Sequence, residues 1–378
     1  MTTITGVDLP PGSPGGSVEL LRDLYLGPDR PIPADVFMLA PPDSAPDAPA
    51  PDAPAPDAPG SDAPGSDRPA LLAVPGKQVD GAGFWTYVEA LAAAIRERFP
   101  AAGYGVVHLQ HLAFGATPAL LRAFPRHPHL ALVHGTDLLF AADHPTQAEV
   151  LKEAVAAARA IVVPTTAMAT LLRRLAPADS SRIAHIPWGI PDHLLSEPPV
   201  RHRRAGEDLR LLYAGRLTAE KAGSGLFEAV AGLDGVTLSV AAPPAEYRRL
   251  DEESGLAGVR YLGWLSRPDL WRAFAEHDLL IVPSTRLEAF GLVAVEAQAC
   301  GLPVLYQPVP GLLEVLGDSA IPVDLTAGPQ AIAETVAWLR KDPAALDDIR
   351  AAGYRNAARF PLSRTAKELQ ALSEQIQG

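Results

Sequence analysis

Ser284-Thr-Arg-Leu-Glu288-Ala-Phe-Gly291-Leu-Val-Ala-Val-Glu296-Ala-Gln-Ala-Cys300-Gly301-Leu-Pro303-Val304 is the stretch whose reading decides the fold. The apolar run Asp278-Leu-Leu-Ile-Val-Pro283 before it reads as a buried strand. Val304-Leu-Tyr306 after it reads as the next strand. Between them the pattern predicts a helix of about three turns, opening near Gly291 and stopped by Gly301 and Pro303. Strand, loop, helix and strand in that order form one unit of a parallel sheet. In such units ligands collect at the carboxyl end of the strand and the amino end of the helix.

Two carboxylates sit on this unit, with seven residues between them. Glu288 falls in the loop and Glu296 within the helix. At about 1.5 Å of rise per residue, Glu296 lies about 7–8 Å further along the axis. The amides of Ala289, Phe290, Gly291 and Leu292 lie between them, unpaired donors at the positive end of the helix dipole. This suits an extended, hydroxyl-rich ligand with a phosphate in its middle: hydroxyls on each glutamate, the anion on the amides. The same spacing also fits two surface glutamates near a helix start, where acids are common.

Phe-Gly follows the first glutamate, and Ala-x-Ala-x-Gly-x-Pro-Val follows the second. The whole pattern resembles the signature of retaining glycosyltransferases of family 4, which have the GT-B fold. The resemblance implies an α/β chain of two Rossmann-like parallel-sheet domains facing across a cleft. Residues 1–195 would form an acceptor-binding domain and 196–359 a nucleotide-sugar-binding domain, with a helix over 360–378 crossing back to the first. It further implies that Glu288 binds the hydroxyls of a donor sugar and Glu296 the ribose of its nucleotide. The donor would be a co-substrate, a UDP-sugar, and no separate cofactor or metal is expected.

A chain of 378 residues and 39.8 kDa has room for two domains. Its 48 % hydrophobic and 20 % charged residues are those of a soluble globular protein. The single cysteine, Cys300, allows no intramolecular disulfide and fits a reducing cytoplasm. No signal peptide is evident in Met1-Thr-Thr-Ile-Thr-Gly6, and no apolar run approaches the ~20 residues of a membrane span. A net charge of −12 argues against nucleic acid and anionic membranes as partners. The segment 41–69 contributes five of those charges, six aspartates against Arg68. This Pro/Asp-rich near-repeat cannot pack a core and reads as a disordered surface insertion.

Along the first half, strands are expected at 4–9, 36–40, 71–74, 106–111, 129–138, 160–164 and 183–187, with helical patterns between them. Strand and helix in alternation mean a parallel sheet. Gly15 and Gly16, between the first strand and first helix, let backbone approach an anion closely. They match the family's Gly-Gly loop near the donor phosphates. Val133-His134-Gly135-Thr-Asp137 resembles the family's His-Gly motif, in which the histidine reaches the donor sugar near the point of transfer. His108 and His111 are expected on the same rim, where a zinc site with His134 has no supporting spacing. Glu197 to Arg204 reads as a linker.

In the second half, Leu209 to Ala214 reads as a strand with Gly215-Arg216-Leu-Thr-Ala-Glu-Lys221 at its carboxyl end. This resembles the family's Gly-Arg-Leu-x-x-Glu-Lys-Gly, with Ala222 in place of the last glycine. Arg216 and Lys221 together can hold a diphosphate. Leu265 lies where the family holds the nucleotide base by backbone groups. A helix is expected from Arg272 to Glu276 and a last one from Phe360 to Gln375.

Breaking a sugar–diphosphate bond builds negative charge on the leaving phosphate, and these cations and amides answer it. No Asp-x-Asp metal motif stands at a strand end, in keeping with metal-independent chemistry. Retention by double displacement needs a carboxylate beneath the anomeric carbon, for which Asp137 is the nearest candidate. The family's favoured alternative is same-face attack assisted by the departing phosphate. The Ala/Pro/Arg-rich style points to a high-GC bacterium. Gln110 to Pro118 and His134 to Phe140 are similar to actinomycete enzymes that glycosylate aminocyclitol antibiotics. That similarity, with the acidic balance, implies a small cationic acceptor containing 2-deoxystreptamine. Thiol-precursor, trehalose-like or lipid acceptors, and a sugar-nucleotide epimerase, are the alternatives.

Overall fold

The computed structural model describes residues 2–41, 67–201, 208–218, 221, 227, 230 and 232–378. Most of the Pro/Asp-rich insertion, the end of the 197–204 linker and the glycines after Lys221 lie outside the described residues.

Two parallel sheets make up the molecule. The first contains β1 (Thr2–Gly6), β2 (Ala34–Leu39), β3 (Ala70–Leu72), β4 (Tyr104–Leu109), β5 (His129–Leu132), β6 (Ala160–Val163) and β7 (Ile183–His185), in the order β3-β2-β1-β4-β5-β6-β7. The second contains β8 (Leu209–Ala214), β9 (Val236–Ala241), β10 (Val259–Gly263), β11 (Leu279–Val282), β12 (Val304–Tyr306) and β13 (Ile321–Pro322), in the order β10-β9-β8-β11-β12-β13. Each order reverses direction beside its first strand, where β1 meets β4 and β8 meets β11. Such switch points open a crevice at the carboxyl ends of the strands.

The strands are short apolar runs because helices cover both faces of each sheet. Along β5, Leu130 and Leu132 enter one apolar cluster and Ala131 another. One cluster runs unbroken from Val18 and Trp188 of the first lobe to Leu280, Phe290 and Phe360. Continuous apolar burial of this kind holds the lobes together. The helix Leu362–Gln377 packs on the first sheet. Thr365 donates to the Pro187 carbonyl at 2.7 Å, and Gln370 donates to that of Pro31 at 3.0 Å.

Several boundaries differ from those expected. The first strand ends at Gly6 rather than Leu9, because the chain must turn at once toward the glycine loop. The strand expected over 129–138 ends at Leu132. Gly135, at φ 92, breaks it and caps the helix Thr136–Asp143. The helix expected from Arg272 starts at Arg267, because Ser266 caps it and Pro268 fits its first turn. The helix after Gly291 spans only Leu292–Ala299, eight residues, about two turns rather than three.

His108 does not stand on the rim. It is fully buried, held by the Tyr25 hydroxyl and the Ser373 hydroxyl at 2.8 Å each, and so ties β4 to the last helix. With both ring nitrogens engaged it is no metal ligand. Burial depresses its pKa to about 3. The unfolded chain therefore takes up a proton near pH 6.5 that the folded chain refuses. This site's contribution is complete above pH 6.5 and declines by about 1.4 kcal/mol per unit as pH falls toward 3. Between pH 7.5 and 5 the native protein should lose about 2 kcal/mol more stability than His108→Gln. Urea unfolding of both at the two pH values reads that difference, and equal losses refute it.

Candidate active site

The loop after β11 is built to hold Glu288. Its backbone passes over Gly311, where an added Cβ would lie 1.7 Å from the Glu288 carbonyl oxygen. Gly291, at φ 83, turns the chain into the following helix. The Glu288 carboxylate accepts from the Ser284 hydroxyl at 3.1 Å and pairs with the Lys221 ammonium. Phe290 is buried edge-on against Phe360. Two residues expected to meet a donor thus contact each other here, half-buried, at the crevice of the second lobe.

The first lobe meets this loop directly. An added Cβ on Gly135 would lie 2.7 Å from the Ala289 Cβ, and the Thr165 hydroxyl donates to the Ala289 carbonyl at 3.0 Å. An added Cβ on Gly16 would lie 3.5 Å from a Leu292 methyl. The Gly15–Gly16 loop and the His134–Gly135 turn of one lobe therefore face Ala289 and Leu292 of the other. Glu314 caps the helix Thr166–Leu175 at 2.8 Å, and Arg286 reaches Asp143 at 3.2 Å, closing the lobes on one side.

His134 stacks on Trp188 at 5.4 Å between ring centroids and faces His111 at 4.8 Å. Burial holds the pKa of His134 well below the ordinary histidine range and that of His111 down to about 4. Both rings are neutral at pH 7. The Nε2 of His134 is buried without a partner among the described residues, a polar atom at the interlobe crevice not spent on the fold.

Asp137 is not a nucleophile in this arrangement. It is wholly buried and accepts from the Leu112 amide at 2.9 Å and the His134 amide at 3.3 Å. Burial pushes its pKa up to about 6 against the pull of those amides. Its work is to hold the histidine turn. Cys300 is buried, and burial raises its thiol to about 12, so it packs and does not react.

Arg216 is not paired with Lys221 on a common anion. Its Nε donates to Glu246 at 3.0 Å while the other Glu246 oxygen takes the Leu217 amide at 2.6 Å. Glu246 did not stand out in the sequence, because an acid in the first turn of a helix is ordinary. Glu296 is 5 % exposed, and both its oxygens are engaged, Oε1 by Arg267 at 2.5 Å and Oε2 by the Trp271 indole at 3.0 Å. Arg267 and Trp271 were also missed. The available signal was Ser266-x-x-Asp269, a helix start that puts positions 267 and 271 on one face. Leu265 lies half-buried between the Gly263 turn, at φ 83, and the Ser266 cap. Among the described residues no three His, Cys, Asp or Glu side chains are grouped to hold a metal ion, and no helix is long and apolar enough to cross a membrane.

Two Rossmann-like lobes closing on a shared rim in this way are the GT-B architecture. Residues 34–194 match the model of Glycosyltransferase Family 4, and residues 197–356 match that of the Glycosyl transferases group 1. A D-inositol 3-phosphate glycosyltransferase of Catenulispora acidiphila is 31 % identical over 301 residues, covering 71 % of this chain and 72 % of that one. One from Mycolicibacterium smegmatis is 32 % identical over 61 % of this chain and 56 % of its own. Sucrose-phosphate synthase from Thermosynechococcus elongatus superposes with a TM-score of 0.79 at 20 % identity, over 100 % of this chain and 99 % of that one. Anabaena HepE, solved in complex with UDP and glucose, superposes at 0.72 with 19 % identity over 99 % and 100 %. The chain belongs to glycosyltransferase family 4 and is a glycosyltransferase.

Proposed function

We propose that the protein transfers a hexosyl or amino-sugar group from a UDP-sugar to a hydroxyl of a small cyclitol acceptor, with retention and without a metal ion. The observation that carries the reading is the meeting of the Glu288 loop with the His134–Gly135 turn, which brings the two lobes' candidate residues to one crevice. In this reading Glu288 takes the donor sugar's hydroxyls and His134 approaches the sugar from the other lobe. The amides of Ala289, Phe290, Gly291 and Leu292 take the diphosphate, facing Gly15 and Gly16. Lys221 exchanges Glu288 for the diphosphate, and Arg216 leaves Glu246 to join it. Glu296 holds the ribose and Leu265 the base.

The C1–phosphate bond breaks as the acceptor oxygen attacks C1 on the same face. The acceptor's proton passes to the departing phosphate oxygen. Asp137 is spent on backbone amides, which favours this route over double displacement. Closure of the lobes keeps water from the reacting carbon.

For the acceptor, the relatives' names supply inositol 3-phosphate, an anionic cyclitol. Lys77, exposed beside Asp8 beyond the end of β1, supplies a cation for such a group. The net charge of −12 favours the other cyclitol class, a 2-deoxystreptamine-containing amine. The deciding experiment offers UDP-sugars with an inositol phosphate or a deoxystreptamine acceptor, in EDTA, and reads products by mass and by anomeric coupling constants. Retained configuration with either cyclitol is the expected outcome. Inversion, or complete loss of transfer in EDTA, overturns the reading.

A further inference from the structure

Arg267 joins the two lobes at a point the reaction does not explain. Its Nη1 donates to Asp23, on the first-lobe helix Gly16–Tyr25, and its Nη2 donates to Glu296 of the second lobe at 2.5 Å. The guanidinium lies 5.3 Å from the centroid of Trp271, whose indole donates to the other Glu296 oxygen at 3.0 Å. All three charged side chains are mostly buried, with exposures of 13 % for Arg267, 18 % for Asp23 and 7 % for Glu296. One cation between two carboxylates leaves the group with a net negative charge inside the protein. Removing ions from water costs several kcal/mol each and is not an economical source of stability. A buried charge group that bridges two bodies instead makes each position depend on the other.

We propose that Arg267 is a positioning residue that couples lobe closure to the orientation of Glu296. This rests on the reading of Glu296 as the carboxylate for the donor's ribose. With the lobes closed, Asp23 draws the guanidinium toward the first lobe, and the carboxylate is fixed between Arg267 and Trp271. With the lobes apart, Arg267 loses its Asp23 anchor, and the carboxylate it holds is no longer fixed in the orientation the ribose diol needs. Nucleotide binding and closure then favour one another, and by linkage the coupling is the same in both directions.

Asp23 makes this coupling sensitive to pH. Burial raises its pKa to about 6 against the opposing attraction of Arg267, while Glu296 and Glu19 also push it up. Below pH 6 its charge is lost and the first-lobe arm of the tie weakens. His193 also lies near the group, its ring 5.4 Å from that of Trp271.

The test uses the full chain with cysteines placed at Lys152→Cys and Arg260→Cys for spin labels. Both sites are exposed, on opposite lobes, and the native Cys300 is buried. Electron–electron distances should show one closed spacing at pH 7.5 and a wider population at pH 5. Asp23→Asn should show the wider population at both, Asp23→Glu should restore the native response, and His193→Gln should leave it unchanged. UDP affinity should fall about tenfold at pH 7.5 in Asp23→Asn and recover in Asp23→Glu. Identical distance distributions in native protein and Asp23→Asn overturn the tie. An altered distribution with unaltered UDP affinity overturns the coupling. If the native protein fails to bind UDP while the distances still respond, the nucleotide reading falls and the interlobe tie stands.

Discussion

Glu288→Gln should lower kcat/KM by about a thousandfold while leaving the fold in place. The exchange keeps the shape of the side chain and removes its charge. A glutamine can still accept from Ser284, so the loop over Gly311 and Phe290 keeps its anchors. The interaction lost in the folded protein is the pair with Lys221, whose side chain is 37 % exposed. Pairs of that exposure contribute about 0–1 kcal/mol, so the thermal midpoint should move by only a few degrees. A charge-assisted contact to a sugar hydroxyl at the reacting ring, by contrast, is worth about 3–4 kcal/mol in the transition state. Lys221→Ala should cost nearly as much, through the leaving diphosphate. Because the two residues act on one substrate, the double variant should be far less impaired than the product of the single losses. Steady-state kinetics and a thermal melt of the three variants decide it. A fully active Glu288→Gln removes the donor-site assignment, and an unfolded one moves Glu288 to a structural role.

The donor-side unit could be read from the sequence because its information is local. A buried strand, a glycine at φ 83 and a short helix follow one another between Leu279 and Ala299, so spacing alone puts Glu288 and the helix amides together. What could not be read was who pairs with whom across long separations. Lys221 and Glu288 are 67 positions apart, and Arg267 and Asp23 are 244 apart. Nothing in either local pattern names the other partner. His108 shows the converse failure. A histidine near the carboxyl end of a strand looks like a rim residue, and only the returning last helix, 265 positions later, buries it on Ser373. The expected strand over 129–138 failed for a local reason that was available, since Gly135 is followed by an Asp able to accept backbone amides. Asp137, the nearest carboxylate for a double displacement, caps that turn instead.

That turn carries the second large expected effect. Gly135→Ala should depress transfer a hundredfold or more by holding the lobes apart, with each lobe still folded. The added methyl meets the Ala289 Cβ at 2.7 Å, well inside contact distance, and neither residue lies at the end of a flexible side chain. The two bodies must separate by about 1 Å to reach ordinary contact distance, or rotate. Either movement shifts His134 relative to Glu288 and loosens the Thr165 bond to the Ala289 carbonyl. Misplacement on that scale at a reacting centre costs about two orders of magnitude. Backbone strain adds to this, since φ 92 is a left-handed conformation that costs an alanine about 1–2 kcal/mol. Steric and conformational shares can be separated. Ala289→Gly removes the opposing methyl, after which the nearest remaining Ala289 atoms stand at 3.5 Å, an ordinary contact. The double variant Gly135→Ala/Ala289→Gly should therefore regain most of the activity and keep only the strain as lost stability. If the wedge rather than strain is responsible, the two substitutions are strongly non-additive in kcat/KM and nearly additive in the melting temperature. Additivity in both would mean that the lobes do not need to meet at this contact for transfer to occur.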